Sequence, residues 1–377
     1  MRLLIEDGVS DSYGLSVDDM LASRVGAGLS KPTLRLYTYK SYAALCGRFQ
    51  NIENEIDLSF CAANGIRVNR RPTGGGAIIM GEDQLGMALV IPGSAGDNYS
   101  RARELMSNFS GGITDALMSL GVHARFRGKN DIEVNARKIV GLGIYRSPGG
   151  GLLFHASLLL DIDVAFMMKV LKTSFAKISD KEIAVVGNRI TSIVAEAKTR
   201  ITMEELRTII ARSYSNIFDE GFVEEELTDD EKSAVAQLEE SKYMSGAWKF
   251  QFIDQQESSG SSRLKTPAGL IDINLRVKGN TITSIFIHGD FFTSEKALAE
   301  LEANLKWHST DPRLLKSTIT AFHESRFEEL SSLPLEGILS SINQAVGRAK
   351  LFASGESAGT YGCFVNPNHE NARIESR

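Results

Sequence analysis

Only three cysteines, Cys46, Cys61 and Cys363, occur in 377 residues. Their spacing fits neither a paired disulfide framework nor a Cys-x-x-Cys metal site, so three reduced thiols in a cytoplasmic protein are expected. No window reaches ~18 uninterrupted apolar residues, which excludes an expected membrane-spanning helix and a membrane partner. The opening residues MRLLIED are charged early and lack the apolar stretch of a secretory signal, again pointing to the cytoplasm. Basic excess is missing too: the formal net charge of −5 argues against a nucleic-acid partner.

What remains is ordinary for a soluble globular protein, with 42% hydrophobic and 24% charged residues. The length suggests two domains of about 100–250 residues. Residues 15–29 show near-helical apolar spacing with Ser16 as N-cap. In 33–45, Leu34, Leu36 and Thr38 alternate with Arg35, Tyr37 and Tyr39, a strand pattern. Two apolar runs, 77–80 and 87–91, flank a polar link and read as a β-hairpin. Residues 99–120 have long-helix periodicity, but Gly111-Gly112 costs about 1 kcal/mol per glycine relative to alanine, predicting a kink or tight packing.

Further strands are expected at 131–134, 138–145, 152–160, 248–253, 269–277 and 281–288, the last two joined by a Lys278-Gly279-Asn280 turn. Helices are expected at 163–172, 202–218, 294–305, 311–325 and 334–350, and a loop at 257–262. The whole is α+β: a large domain of mixed sheets and helices over 1–222, an acidic helical linker at 223–244, a small α+β domain over 245–350 and a weakly structured tail at 351–377.

Three segments carry candidate chemistry. In Arg70-Arg71-Pro72-Thr73-Gly74-Gly75-Gly76-Ala77, the glycines allow backbone N–H groups to converge on an anion, and the arginines add charged donors. A plain structural turn is the competing reading, and no Gly-Lys-Ser/Thr follows as in a Walker loop. Gly128-Lys129-Asn130-Asp131 precedes Lys138-x-x-Gly141-x-Gly143, where a lysine among small residues can hold a negatively charged oxygen, or simply be solvated. Phe154-His155-Ala156-Ser157 heads an apolar run; its histidine is a base candidate or a satisfied core residue.

In order and spacing these segments, with Gly47-Arg48-Phe49-Gln50-Asn51 upstream, resemble the lipoate–protein ligase A family of two-domain bacterial enzymes, over roughly residues 15–215. The resemblance implies the biotin/lipoate-ligase fold for the large domain, with an accessory domain behind it. It implies ATP-dependent activation of lipoate to lipoyl-AMP and transfer to a lysine of a lipoyl-domain acceptor. Such an acceptor would be a 2-oxoacid dehydrogenase E2, a glycine cleavage H protein or a similar protein. Carried over, Arg70, Arg71, Thr73, Ala77 and the Gly74–Gly76 backbone line the lipoyl and phosphate pocket. Asn130 and Asp131 lie at the nucleotide, Asp131 through Mg²⁺, and Lys138 is catalytic at the acyl and α-phosphate oxygens. Gly141, Gly143, His155 and Ala156 belong to the same substrate- and nucleotide-binding set.

Two departures from the family pattern, Met80 and the segment Gly81-Glu82-Asp83-Gln84-Leu85-Gly86 in place of the common Asp-x-Gly-Asn version, bear on substrate, while Leu152 bears on mechanism. Met80 stands where many members of the family carry histidine, and is read as apolar lining for the acyl chain. Leu152 stands where a common octanoyltransferase type carries its cysteine nucleophile. Competing readings are an octanoyl or lipoyl transferase using a pre-activated donor, with a loop containing Cys61 as a candidate for its thiol although the apolar Phe60-Cys61-Ala62-Ala63 stretch reads as packing; a biotin ligase; and a non-catalytic lipoyl- or nucleotide-binding module. A basic rim near Arg125, Arg127 and Lys129 is expected to meet an acidic acceptor.

Overall fold

The structure is a computed structural model that describes residues 1–94, 96–172, 180–197, 199–219, 221–251 and 259–353. Expectations for 252–258 and for the tail from 354 lie outside the described residues. The chain forms two compact units, one of residues 1–253 with 289–293, the other of 254–288 with 294–377.

In the first unit, strands β1 (Arg2–Val9), β2 (Thr33–Tyr39), β3 (Ala43–Cys46), β4 (Arg67–Arg70), β5 (Ile78–Met80), β6 (Gln84–Pro92), β7 (Arg125–Arg127), β8 (Asp131–Val134), β9 (Arg137–Arg146), β10 (Gly151–Leu159) and β11 (Val223–Glu224) build two mixed sheets. The large sheet runs β11-β1-β2-β6-β10-β9-β8-β7, and the small one β4-β3-β5. Both faces of the large sheet are covered. Leu34, Leu36, Met87 and Leu89 pack on one side with Leu105, Ile113, Leu206 and Ile210 of helices Ala102–Phe109, Gly111–Ser119 and Met203–Phe218. Ala88, Val90 and Leu153, on the opposite side, pack with Val17 and Leu21 of helix Asp11–Gly26. Double coverage explains why every residue of β2 and β10 is buried, polar positions included. Arg35, fully buried, reaches Glu6, Asp18 and the Gly14 carbonyl, so its charge is paired rather than solvated.

Several sequence expectations are corrected. The first helix begins at Asp11 because Ser10 caps it, its side chain accepting from Tyr13 N–H; Ser16 instead donates back to the Ser12 carbonyl. The expected hairpin does not form. Strand β5 pairs with β3 in the small sheet, while β6 pairs with β2 and β10 in the large one, so the polar link moves the chain between sheets. The kink or tight packing expected at Gly111-Gly112 is, by contrast, present: the long helix is broken at Ser110, and Gly112 packs so close to Tyr214 that a Cβ would lie 2.6 Å from its ring. Residues 246–249 form a helical turn, not a strand, with Ser245 capping it.

The acidic stretch at 223–244 lies within the first unit rather than as a free-standing linker. Arg2 donates two hydrogen bonds to Glu231, whose carboxylate also accepts from Thr228 N–H in the capping box that opens the helix Asp229–Leu238. In the second unit, β12 (Gly260–Thr266), β13 (Gly269–Lys278) and β14 (Thr281–Gly289) form a three-stranded sheet, so 260–262 are strand and not loop. Helices Glu295–Leu305, Pro312–Ser325 and Leu335–Ala353 follow close to expectation. Among the described residues, no helix is long and apolar enough to cross a membrane.

Candidate active site

A cavity of about 350 Å³ opens on one face of the large sheet. The register pairs His155 with Gly143 and Ser157 with Gly141, and all four line the cavity from alternate positions of β9 and β10. The small sheet contributes Ile78 and Ile79 across from them, and helix Val164–Val170 contributes Met167. Further along β10, Leu159 and then Ile162 continue the wall with apolar surface.

Lys138 reaches this cavity through a break in the ladder. Strands β8 and β9 pair Asp131 with Gly141 and Ile132 with Val140, then skip Ile139 to pair Glu133 with Lys138. Strict alternation would put Lys138 on the face of Val140 and Leu142, which belong to the hydrophobic core. The extra residue is a β-bulge that turns Lys138 back to the face of Gly141. Its backbone is held on the other side as well: Lys138 N–H donates to the Arg189 carbonyl at 2.8 Å, and Thr191 N–H donates to the Lys138 carbonyl at 2.8 Å. The amine lies 2.6 Å from Asp131 Oδ1, and both side chains remain 32% exposed, so an arriving anion can compete for the lysine. Asn130 is fixed beside them, its side-chain amide donating to the Leu142 carbonyl at 2.8 Å.

The two arginines do different work. Arg71 is buried and lines the cavity, yet most of its donors are turned to the loop itself. It donates to Thr73 Oγ1, to the Leu45 carbonyl and to the carbonyls of Gly74 and Gly76. The guanidinium therefore folds the glycine loop around itself. Burial lowers it to about 10, leaving it charged at neutral pH. Arg70 does not line the cavity. It donates to the carbonyls of Gly47, Arg48, Gln50, Trp248 and Lys249, tying the 47–50 loop to the 246–249 turn.

Within the loop, Thr73, Gly76 and Ala77 face the cavity, whereas Gly74 and Gly75 are not among its lining residues. Gly75 has φ +91°, a left-handed conformation that favours glycine. A Cβ on Gly76 would meet nothing within 4 Å, so its backbone is open to an approaching group.

Of the other expected residues, Ala156 points to the opposite face, into the hydrophobic core, because it alternates with His155. Met80 is buried against Tyr37 and Tyr39, and its sulfur accepts from Ser157 Oγ at 2.9 Å. His155 is a neutral imidazole: burial, then the charges of Arg71 and Arg35, lowers it to about 3. Arg125 and Arg127 are exposed on the edge strand β7, while Lys129 donates to the backbone carbonyl of Asp290. Ser157 was readable from its two-residue offset to His155. Met167, Ile190 and Asp290 also line the cavity and carried no local signal. Cys46 and Cys61 are buried, neither lines the cavity, and burial raises both thiols to about 11.

Comparison with known proteins identifies the family. Residues 11–215 match the Lipoyl protein ligase A/B catalytic domain, and residues 257–339 match the Bacterial lipoate protein ligase C-terminus. Lipoate-protein ligase LplJ of Bacillus subtilis is 30% identical over 68% of this chain and 76% of its own length. Octanoyltransferase LipM of Clostridioides difficile is 28% identical over 63% of this chain and 94% of its own. A chain from the bi-partite lipoate protein ligase of Thermoplasma acidophilum, studied with its E2 lipoyl domain, superposes with a TM-score of 0.60 at 27% identity, covering 66% of this chain and 95% of that one. A lipoate-protein ligase A bound with ATP gives 0.57 at 26% identity, covering 66% and 98%. The chain belongs to the lipoyl protein ligase A/B family, its catalytic domain followed by the C-terminal region of the bacterial lipoate protein ligases.

Proposed function

We propose that this protein is an ATP-dependent lipoate–protein ligase, which forms lipoyl-AMP and passes the lipoyl group to a lysine of an acceptor lipoyl domain. The observation that carries this reading is Lys138, turned by the bulge into a cavity shared with Asp131, Asn130 and the glycine loop. A solved relative bound with ATP and another studied with an E2 lipoyl domain support nucleotide and acceptor of the same kinds. An E2 subunit, an H protein or a similar lipoate-carrying protein is the expected acceptor, and the reduced thiols suit work in the cytoplasm.

In the first step the lipoate carboxylate attacks the α-phosphorus of ATP, bringing two anions together. Lys138 and the open backbone at Gly76 offset that repulsion, and Arg71 holds the loop in shape while adding its charge. A Mg²⁺ carried in by the nucleotide would neutralise the leaving pyrophosphate. Asp131 is the carboxylate to hold it, since such an ion asks for only one or two protein carboxylates. No group of three or more His, Cys, Asp or Glu able to hold a metal occurs among the described residues, which fits a nucleotide-borne ion rather than a resident one. In the second step the acceptor amine attacks the acyl carbon, and Lys138 stabilises the charge on the acyl oxygen as AMP leaves. His155, neutral, offers a hydrogen bond rather than a charge. The apolar wall of Leu159, Ile162 and Met167 suits the hydrocarbon and dithiolane of lipoate.

The similarity to an octanoyltransferase keeps a thiol route as the second reading. Mass spectrometry of an acceptor domain incubated with the protein, lipoate, ATP and Mg²⁺ separates the two. An ATP-dependent lipoyl increment, lost in Lys138→Ala with folding intact, supports the ligase. Mass gained only from a pre-activated octanoyl donor without ATP makes it a transferase.

A further inference from the structure

Residues 289–293 lie far along the chain from the glycine loop, yet they belong to the first unit. Gly289 N–H donates to the Phe49 carbonyl at 2.9 Å, and the Phe291 ring stacks on Phe49 with centroids 5.2 Å apart. Phe291 and Phe292 are 1% and 2% exposed, and Phe292 joins the core under the large sheet. Lys129, next to Asn130, donates to the Asp290 carbonyl, and Asp290 is among the residues that line the cavity. Between these anchors the backbone passes over the glycine loop. A Cβ on Gly74 would lie 2.1 Å from the Phe291 carbonyl oxygen. The first of the three glycines is thus demanded by this crossing, not by an anion.

We infer that residues 289–293 are a positioning strap for the glycine loop, with Phe291 as its principal positioning residue and Gly74 the point where the two backbones cross. The strap and Arg71 both hold the loop. Arg71 donates to the carbonyls of Gly74 and Gly76, while the strap bears on Gly74 through the Phe291 carbonyl. Between them Gly76 is presented to the cavity in one conformation. Loosening the strap lets the loop sample others, so an anion must order it on binding. That cost falls on affinity, and a saturating ligand restores the geometry. This role rests on the ligase reading only for the identity of the anion.

The test uses the full chain with Phe291→Ala, Phe49→Ala, the double variant and the conservative Phe291→Leu. Affinity for inorganic pyrophosphate is measured by calorimetry, and KM and kcat for lipoate are measured by ATP-dependent pyrophosphate release. Each alanine variant should weaken pyrophosphate binding and raise KM by roughly ten-fold, with kcat within about two-fold. The double variant should match the singles, because both remove one stack, and Phe291→Leu should recover most of the affinity. Unchanged affinity in folded alanine variants overturns the strap, as does a fall in kcat alone. Wild-type protein that binds pyrophosphate but never releases it from ATP and lipoate would refute the ligase reading, while the calorimetry still decides the strap.

Discussion

At the scale of single residues, burial decides what each polar group can do. His155 lies on the cavity wall, and burial with the charges of Arg71 and Arg35 lowers it from 6.5 to about 3. In the unfolded chain the ring takes up a proton near pH 6.5, so between there and about 3 the unfolded state binds more protons. The stability tied to this group is therefore fully present above pH 6.5 and is lost as pH falls, at about 1.4 kcal/mol per unit. Urea denaturation at pH 6.5 and 5 should show about 2 kcal/mol lost through this one group. The His155→Gln protein should lack that loss; equal pH slopes in the two proteins would rule the residue out as its source. The arginine pair teaches the same lesson. Identical neighbours in sequence, Arg71 faces the cavity and Arg70 faces backbone carbonyls, because successive residues at the end of a strand point to opposite sides.

At the scale of elements, irregularities place the chemistry. The bulge at Ile139 lets a strand full of core residues also present a lysine to the cavity. Gly141 completes this device, since a Cβ there would lie 3.1 Å from Lys138 Nζ and 3.2 Å from Cε. Gly141→Ala should displace the amine without disturbing the ladder. Ligation should fall by roughly ten-fold or more with little change in thermal midpoint. An unaffected rate would mean that this placement of the amine is not the one used. The helix Asp229–Leu238 is stitched to β1 by the Arg2–Glu231 pair, both partners nearly inaccessible at 2% and 4% exposure. Glu231→Gln leaves the buried arginine uncompensated and should cost about 3 kcal/mol in chemical denaturation, as for other broken buried pairs. A loss under half a kcal/mol would show that the acidic segment is held by packing alone.

At the scale of the whole molecule, the thiols among the described residues bear on the choice between direct acyl transfer and thioester chemistry. Burial raises Cys46 and Cys61 to about 11, and neither reaches the cavity. Native protein treated with iodoacetamide near pH 7.5 should leave both unmodified for far longer than unfolded protein does, and should keep its ligation activity. Inactivation that tracks alkylation of either residue, followed by peptide mass spectrometry, would contradict a thiol-free mechanism.

By itself the sequence determined the α+β class, the strand at 131–134, most helices and the residue types that meet at the cavity. Those features come from local periodicity, capping residues and short motifs, all of which act within a few residues of chain. It did not determine that 77–80 and 87–91 belong to different sheets, since a polar link is compatible with a hairpin or with a crossing. Nor did it show the bulge that aims Lys138, because the ladder that defines a bulge exists only once β8 and β9 have paired. The strap, the apolar end of the cavity at Met167 and Ile190, and the division of labour between Arg70 and Arg71 were likewise decided by tertiary structure. Each depends on groups distant in sequence, and only burial of the shared core brings such groups within contact range.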